Sequence, residues 1–327
     1  MMSENKKIDV LCVGSTTIDV FIMLQKLQKF TYDKFSNQIS FSLGEKVSLG
    51  EYTIALGGNA CNVSVSLSRL GFKTSLAAEV GSDELQQKIP NTLTREGVDQ
   101  TFLKKEETDN PYFNVILSYD GERTILEEKN PLGIDLKIGY LDTKLVFLTS
   151  VRGNWEEAYD QVFSQYKNVK FALNPGTRQL MEEADKVIDI LPKIEILFLN
   201  VQEAQTLAQD TNPDIKAIMK KLRAFGAKII VVTDGINGSY AMGPNGSIFQ
   251  IGVIGGKPVE RTGAGDSYAA GFLYGYLNGN EIDECMRFGT LNADSVIKEI
   301  GSQKGLLTRE EMEEKAKENP ELVAVKI

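Results

Sequence analysis

Thr262-Gly263-Ala264-Gly265-Asp266 sets two glycines and a carboxylate at the start of an apolar, helix-spaced stretch. Ala269, Phe272, Leu273, Tyr276 and Leu277 recur at helical spacing and predict an amphipathic helix facing a core. The first N–H groups of a helix lack internal partners, and the helix dipole there favours negative charge. Gly263 and Gly265 carry no side chain to block close approach. The segment therefore reads as a backbone cradle for an anion with a carboxylate beside it. Phosphoryl transfer to a hydroxyl needs that pair: charge stabilisation on the moving group and a base for the acceptor's proton. Read alone, the same residues equally fit a turn closed by an Asp N-cap. No Gly-x-x-x-x-Gly-Lys-Ser/Thr loop occurs in the chain to supply a different phosphate cradle.

Three further clusters carry polar chemistry. Gly57-Gly58-Asn59-Ala60-Cys61-Asn62-Val63 again puts glycines before a helix start, here with two amide side chains. Asn59 and Asn62 offer donors and acceptors suited to the hydroxyls of a polyol. In Asn200-Val201-Gln202-Glu203 the amide and carboxylate stand one helical turn apart and can face one site. Near triphosphate oxygens they would hold hydrated Mg²⁺; a capping box explains the same tetrapeptide. Val13-Gly14-Ser15-Thr16-Thr17-Ile18-Asp19 leaves a strand and places Asp19 at a turn. Arg178, after Asn174-Pro175-Gly176-Thr177, reads either as a phosphate or acidic-sugar contact or as a solvated charge. The chain has no histidine. Acid–base work must fall to Asp, Glu, Lys, Tyr or a thiol.

These residues need a scaffold that brings strand ends together. Ile8–Val13, Leu76–Val80, Leu145–Leu148, Val169–Leu173, Ile196–Leu199 and Ile229–Val232 are apolar runs, most followed by a polar turn and a helical pattern. Helices are predicted over Ala60–Leu70, Asp83–Glu96 and Cys285–Ile300. Alternating strand and helix predicts a largely parallel sheet covered on both faces, with functional groups at the carboxyl ends of the strands. Tyr240–Gln250, turning at Pro244-Asn245-Gly246, predicts a hairpin beyond the parallel part. Two stretches break the alternation. The first contains strand-like Gln38–Leu43 and Glu51–Leu56. The second contains Phe113–Tyr119 and Arg123–Glu127 around an Asp120-Gly121 turn.

The Thr262–Asp266 string and the Gly57–Val63 element resemble two signatures of the PfkB, or ribokinase-like, family of carbohydrate kinases. Asn200–Glu203 matches that family's Asn-x-x-Glu element, and Thr233-Asp234-Gly235-Ile236-Asn237-Gly238 its Thr-x-Gly-x-x-Gly loop. The resemblance runs from Gly14 to Gly305. It implies one α/β ribokinase-like domain over 1–327, with a mostly parallel central sheet, helices on both faces and a small β-strand lid. The lid would be formed by insertions at about 20–55 and 100–129 and would exclude water. ATP and Mg²⁺ follow as cofactors. The resemblance makes Asp266 the base and Gly263, Ala264 and Gly265 the anion hole. It puts Asp19, Gly58, Asn59 and Asn62 on the acceptor. Asn200, Glu203, Thr233, Gly235, Gly238 and Thr290 fall on the nucleotide, with Glu203 reaching Mg²⁺ through water. Glu260 stands where some relatives use Asp beside a monovalent cation, K⁺. Thr17 stands where ribokinase-type sequences commonly have Asn. The acceptor is then a small sugar. A nucleoside is the alternative, to be distinguished by aromatic or apolar lid groups, such as Tyr52, Phe113 or Phe41, facing the acceptor, and a non-catalytic sensor is a third reading. Lid strands of this kind also allow a homodimer.

Composition narrows the partners. The chain of 327 residues has 36 Lys and Arg against 45 Asp and Glu, a net charge of −9, which argues against a nucleic-acid partner. Cys12, Cys61 and Cys285 form no metal spacing and fit a reducing compartment as inert thiols. No apolar run approaches a membrane span, and no signal peptide is apparent at the polar N-terminus. A cytoplasmic protein is expected.

Overall fold

The apolar runs pair into a ten-stranded sheet. A computed structural model describes residues 7–24, 30–47, 51–105, 113–120, 122–127, 136–151 and 153–327. In chain order the first strands are β1 (Lys7–Val13), β2 (Thr17–Met23), β3 (Thr31–Asp33), β4 (Gln38–Ser40) and β5 (Tyr52–Gly57). Next come β6 (Thr74–Val80), β7 (Asp99–Lys105), β8 (Phe113–Tyr119), β9 (Glu122–Glu127) and β10 (Asp142–Thr149). The last are β11 (Lys170–Asn174), β12 (Ile196–Asn200), β13 (Ile229–Thr233), β14 (Ser239–Met242), β15 (Ile248–Ile251) and β16 (Val325–Lys326). The large sheet is ordered β16-β15-β14-β13-β12-β11-β10-β1-β6-β7. It is parallel from β13 to β7, and β14 to β16 form an antiparallel edge.

Strands buried on both faces need no alternation, which is why Ile229-Ile230-Val231-Val232 is a continuous apolar run. Its two faces feed two cores. Val10 and Cys12 pack on one side beneath the Asn59–Arg69, Ala264–Leu277 and Ile282–Val296 helices. Leu11 and Val13 pack on the other, beneath Trp155–Gln165, Val201–Ala208 and Ile215–Ala224.

A second sheet has four strands in the order β5-β2-β8-β9, and β3 and β4 pair by themselves. The hairpin of β8 and β9 lies where the sequence predicts it, with Asp120 at φ 51°; Gly121 lies outside the described residues.

Several elements differ from expectation. Asp19 lies within β2 rather than at a turn, pairing with Ala55 and Asn114. The strand expected over Gln38–Leu43 shortens to β4. The first residues of the second stretch, β7, join the large sheet beside β6. The helix expected from Asp83 begins at Lys88. Asp83 instead accepts from the N–H groups of Leu85 and Gln86. An earlier start would put Pro90 in a helix interior, where its ring meets the preceding turn. The helix expected over Cys285–Ile300 spans Ile282–Val296, and Arg309–Glu318 is a further helix after it.

The Ala264–Leu277 helix is not amphipathic: every residue from Asp266 to Gly275 is buried. Glycines let its neighbour close in. A Cβ on Gly271 would lie 2.4 Å from the Phe288 carbonyl oxygen, and one on Gly275 2.9 Å from Cys285 Cα. Among the described residues no helix is long and apolar enough to cross a membrane.

Candidate active site

The carboxyl ends of β1, β11, β12 and β13 deliver Ser15, Asn174, Asn200 and Thr233 to one cleft of about 1630 Å³. Its opposite wall comes from the small sheet, through Asp19, Asn114, Ile116, Arg123, Ile125 and Glu127. Two ion pairs tie that sheet to the segment before the Ala264–Leu277 helix: Lys257 to Asp120 and Arg261 to Glu122, each at 2.6 Å.

The helix start itself opens on Gly263, held at φ 82°, a conformation that favours glycine. A Cβ there would sit 2.6 Å from Ser302 Cβ. The first helical bond runs from Ser267 N–H to Gly263 C=O, so the N–H groups of Gly265 and Asp266 precede the hydrogen-bonded ladder. Ala264 N–H donates to Arg261 C=O at 3.3 Å. It is thus engaged in the turn, unlike its neighbours in the expected anion hole.

Asp266 is 8% exposed. Burial raises its carboxyl to about 7. The hydrogen bond from Asn62 opposes the rise, while Glu203 and Asp19 add to it and Arg123 offsets part of it. Asn62 Nδ2 donates to Asp266 Oδ2 at 2.8 Å. Asn62 Oδ1 accepts from Gln303 Nε2 at 3.0 Å, and Ser302 Oγ lies 3.0 Å from it. Asn62, expected on acceptor hydroxyls, lines the cleft and also has its amide bonded to Asp266. Ser302 and Gln303, in the Gly301–Gly305 segment that closes the family pattern, hold the Asn62 amide, a contact not expected of them. Nothing in a chain separation of 204 residues advertises the Asn62–Asp266 contact.

Asp19 is held in the same manner. Its Oδ1 accepts from Thr17 Oγ1 at 2.8 Å and from Asn114 Nδ2 at 2.9 Å. Desolvation raises its pKa against those two bonds. Gly57 makes the space, since a Cβ there would fall 1.9 Å from Asp19 Oδ2. Asn114 was not anticipated, because its role depends on the parallel pairing of β2 with β8. Gly58, at φ 89°, lets the Asn59–Arg69 helix start against β1: a Cβ would meet Ser15 O at 2.6 Å. Gly58, Asn59 and Asn62 all line the cleft.

Asn200 and Glu203 form a capping box. Glu203 N–H donates to Asn200 Oδ1 at 2.9 Å, and Asn200 N–H to Glu203 Oε2 at 2.8 Å. Both also line the cleft, so cap and site are one structure. Burial raises the Glu203 carboxyl. Among the described residues no three acidic, Cys or His side chains gather as a metal cluster. The all-oxygen pair Asn200–Glu203 fits Mg²⁺ held mainly by phosphate oxygens and water.

Thr233 and Gly235 line the cleft, but Gly238 does not. Gly238 sits at φ 89° with a would-be Cβ 1.9 Å from Ile251 O, so it serves strand packing. Thr290 is also away from the cleft: buried, it donates Oγ1 to Met286 C=O at 3.0 Å. Glu260 is 1% exposed and both its carboxylate oxygens accept from Thr262, through N–H and Oγ1. Arg178 lines the cleft with Nε 3.1 Å from Glu182. The three thiols are buried, and burial pushes Cys61 up to about 11, as inert thiols require.

A buried carboxyl poised near neutrality beside free helix N–H groups can accept a proton while the amides hold a negative group. Known proteins resemble this chain in sequence and fold. A family model described as pfkB family carbohydrate kinase matches residues 7–309. A 5-dehydro-2-deoxygluconokinase of Shouchella clausii is 25% identical over 328 residues, covering 94% of this chain and 95% of its own. The nucleoside kinase structure of Methanocaldococcus jannaschii aligns with a TM-score of 0.77 and 22% identity, over 96% of this chain and 100% of that one. Arabidopsis thaliana ribokinase, solved with ribose and ATP, aligns with a TM-score of 0.77 and 19% identity, over 95% and 99%.

Proposed function

The chain belongs to the pfkB family of carbohydrate kinases, and from that premise we propose that it transfers the γ-phosphoryl group of ATP to a hydroxyl of a small sugar. The observation that carries this is Asp266: buried, raised to about 7 and fixed by Asn62 at a glycine-opened helix start. In the proposed reaction Asp266 takes the acceptor proton. The Gly263, Gly265 and Asp266 amides stabilise the moving group, and Asp19 with Asn59 orients the acceptor. Asn200, Glu203, Thr233 and Gly235 hold the nucleotide. Mg²⁺, when bound, neutralises phosphate charge.

The aromatic side chains that would mark a nucleoside site stand away from the acceptor wall. Tyr52 and Phe41 are exposed, and Phe113 packs against the core. Neither they nor any other described aromatic of the small sheet lines the cleft; the apolar Ile116 and Ile125 do, and keep a nucleoside as the alternative acceptor. An ADP-release assay over neutral sugars, sugar acids, sugar phosphates and nucleosides, with and without potassium, tests the reading. Turnover with a sugar is expected. Turnover with nucleosides alone would reverse the acceptor assignment, and nucleotide binding without any turnover would favour a sensor. Potassium dependence would give Glu260 its expected role.

The base must be ionised to act, so kcat/KM is expected to fall tenfold per pH unit below about 7. Asn62→Ala removes the hydrogen bond that lowers the Asp266 pKa. Its acid limb should therefore move to higher pH, with several-fold lower activity at pH 7 and a smaller deficit at pH 9. A limb that stays in place or moves down would contradict this role for Asn62.

The outer face of the small sheet carries Val20, Ile22, Ile54, Val115, Leu117 and Leu126 in adjoining register. Ile54 and Leu126 are exposed at 38% and 53%. Contiguous apolar surface of this kind marks an interface, and we propose that a second copy covers it. Light scattering should give twice the 36.1 kDa chain mass; a single-chain mass at micromolar concentration would refute it.

A further inference from the structure

The inner face of the small sheet presents a cation that the site described so far does not use. In the antiparallel pair β8–β9, Asn114 stands opposite Glu127, Ile116 opposite Ile125 and Ser118 opposite Arg123. Side chains alternate faces along a strand, so Arg123 shares the cleft face with Asn114 and Ile116, and all three line the cleft. Two other described arginines line it. Arg178 pairs with Glu182 and Arg261 with Glu122. The Arg123 side chain has no hydrogen bond or ion pair with a described residue.

Two carboxyls act against the base: Asp19 and Glu203 both disfavour ionised Asp266. A triphosphate entering there meets their field, and a helix start offers only about half a charge against it. Arg123 is the described cation whose charge acts on Asp266. It lies four residues along β8–β9 from the Asn114 that holds Asp19, about 13 Å at strand spacing. Arg123 thus shares the cleft with Asp266 and stands away from the end of the hairpin that holds Asp19.

Resting on the kinase reading above, we propose that Arg123 is a further catalytic residue, a lid-borne guanidinium that contacts the phosphoryl group in transfer. The acceptor oxygen forms a bond to the γ-phosphorus as the bond to the β–γ bridging oxygen breaks. The acceptor proton passes to Asp266, and ADP leaves with the bonding pair. Arg123 makes no covalent bond. Its planar fork of N–H donors matches the oxygens of the moving group. Because it sits on the small sheet, chemistry and closure of that sheet become coupled.

The test compares wild type with Arg123→Gln and Arg123→Lys, using the whole protein. Binding of ADP alone and of ADP with aluminium fluoride, a mimic of the phosphoryl group in transfer, is measured by calorimetry. Arg123→Gln should weaken the fluoride complex roughly 10–100-fold, the worth of a hydrogen bond to a charged group, and leave ADP alone unchanged. Arg123→Lys should fall between, and added guanidinium should restore part of the loss in Arg123→Gln. With an acceptor from the assay above, kcat should fall while acceptor KM holds. Equal weakening of both nucleotide states would overturn the proposal. So would a raised KM confined to acceptors bearing a carboxylate or phosphate, which would make Arg123 an acceptor contact. Wild type that binds no ADP would instead bring down the kinase reading itself. Arg123 is exposed on an edge strand, so the unfolding midpoints should match and exclude misfolding.

Discussion

Asp266→Asn should lower turnover by about 10²–10⁴-fold, the usual contribution of a positioned general base, and leave ADP affinity unchanged. Asparagine has the shape of aspartate, and its amide oxygen can still accept from Asn62 Nδ2. The helix N–H groups that hold the phosphate are untouched. The same variant should be more stable than the wild type, and the sign follows from linkage. Asp266 has its carboxyl raised from 3.8 to about 7 in the fold. Between those values the native state binds more protons than the unfolded chain, so stability falls as pH rises. Asparagine escapes that loss. At about 1.4 kcal/mol per unit, the variant should gain roughly 2–4 kcal/mol in unfolding free energy at pH 8 and close to nothing at pH 4. A variant both inactive and less stable at pH 8 would mean that Asp266 is a structural cap.

Gly263→Ala should be nearly as damaging, and Gly279→Ala provides its control. Both glycines have almost the same backbone, φ 82° and 81°, at opposite ends of one helix. A Cβ on Gly279 meets nothing within 4 Å, whereas one on Gly263 lies 2.6 Å from Ser302 Cβ and 2.8 Å from Ser302 Cα. Left-handed strain alone costs about 1–2 kcal/mol. Gly263→Ala adds an overpacking cost of about 1–3 kcal/mol and displaces Ser302, which supports Asn62. Losing one well-placed anion-hole donor costs about 10²–10³ in kcat. A fall of that order is expected for Gly263→Ala, with unaltered kinetics and a smaller stability loss for Gly279→Ala. Equal effects of the two substitutions would remove any special role for the helix start.

The central strands were readable because burial on both faces leaves long apolar runs, as in Ile229–Val232. The two helix starts were readable because glycine and a short polar side chain answer a local backbone need, as at Gly58-Asn59 and Gly263–Asp266. What escaped depended on distant partners. Aspartate is disfavoured in strands, so Asp19 read as a turn. Its place in β2 makes sense only once Gly57 clears its carboxylate and Asn114 crosses from β8. Asn62 read as a sugar contact because its type suits one; Ser302 and Gln303, far along the chain, turn it toward Asp266. Gly238 and Thr290 show the converse, since their resemblance to nucleotide contacts hid packing duties at Ile251 and Met286.

A crystal structure with a non-hydrolysable ATP analogue tests the central claim most directly. The terminal phosphate is expected within hydrogen-bonding distance of the Gly265 and Asp266 N–H groups, beside the Asp266 carboxyl. A terminal phosphorus lodged elsewhere in the cleft, out of reach of that helix start, would contradict the account.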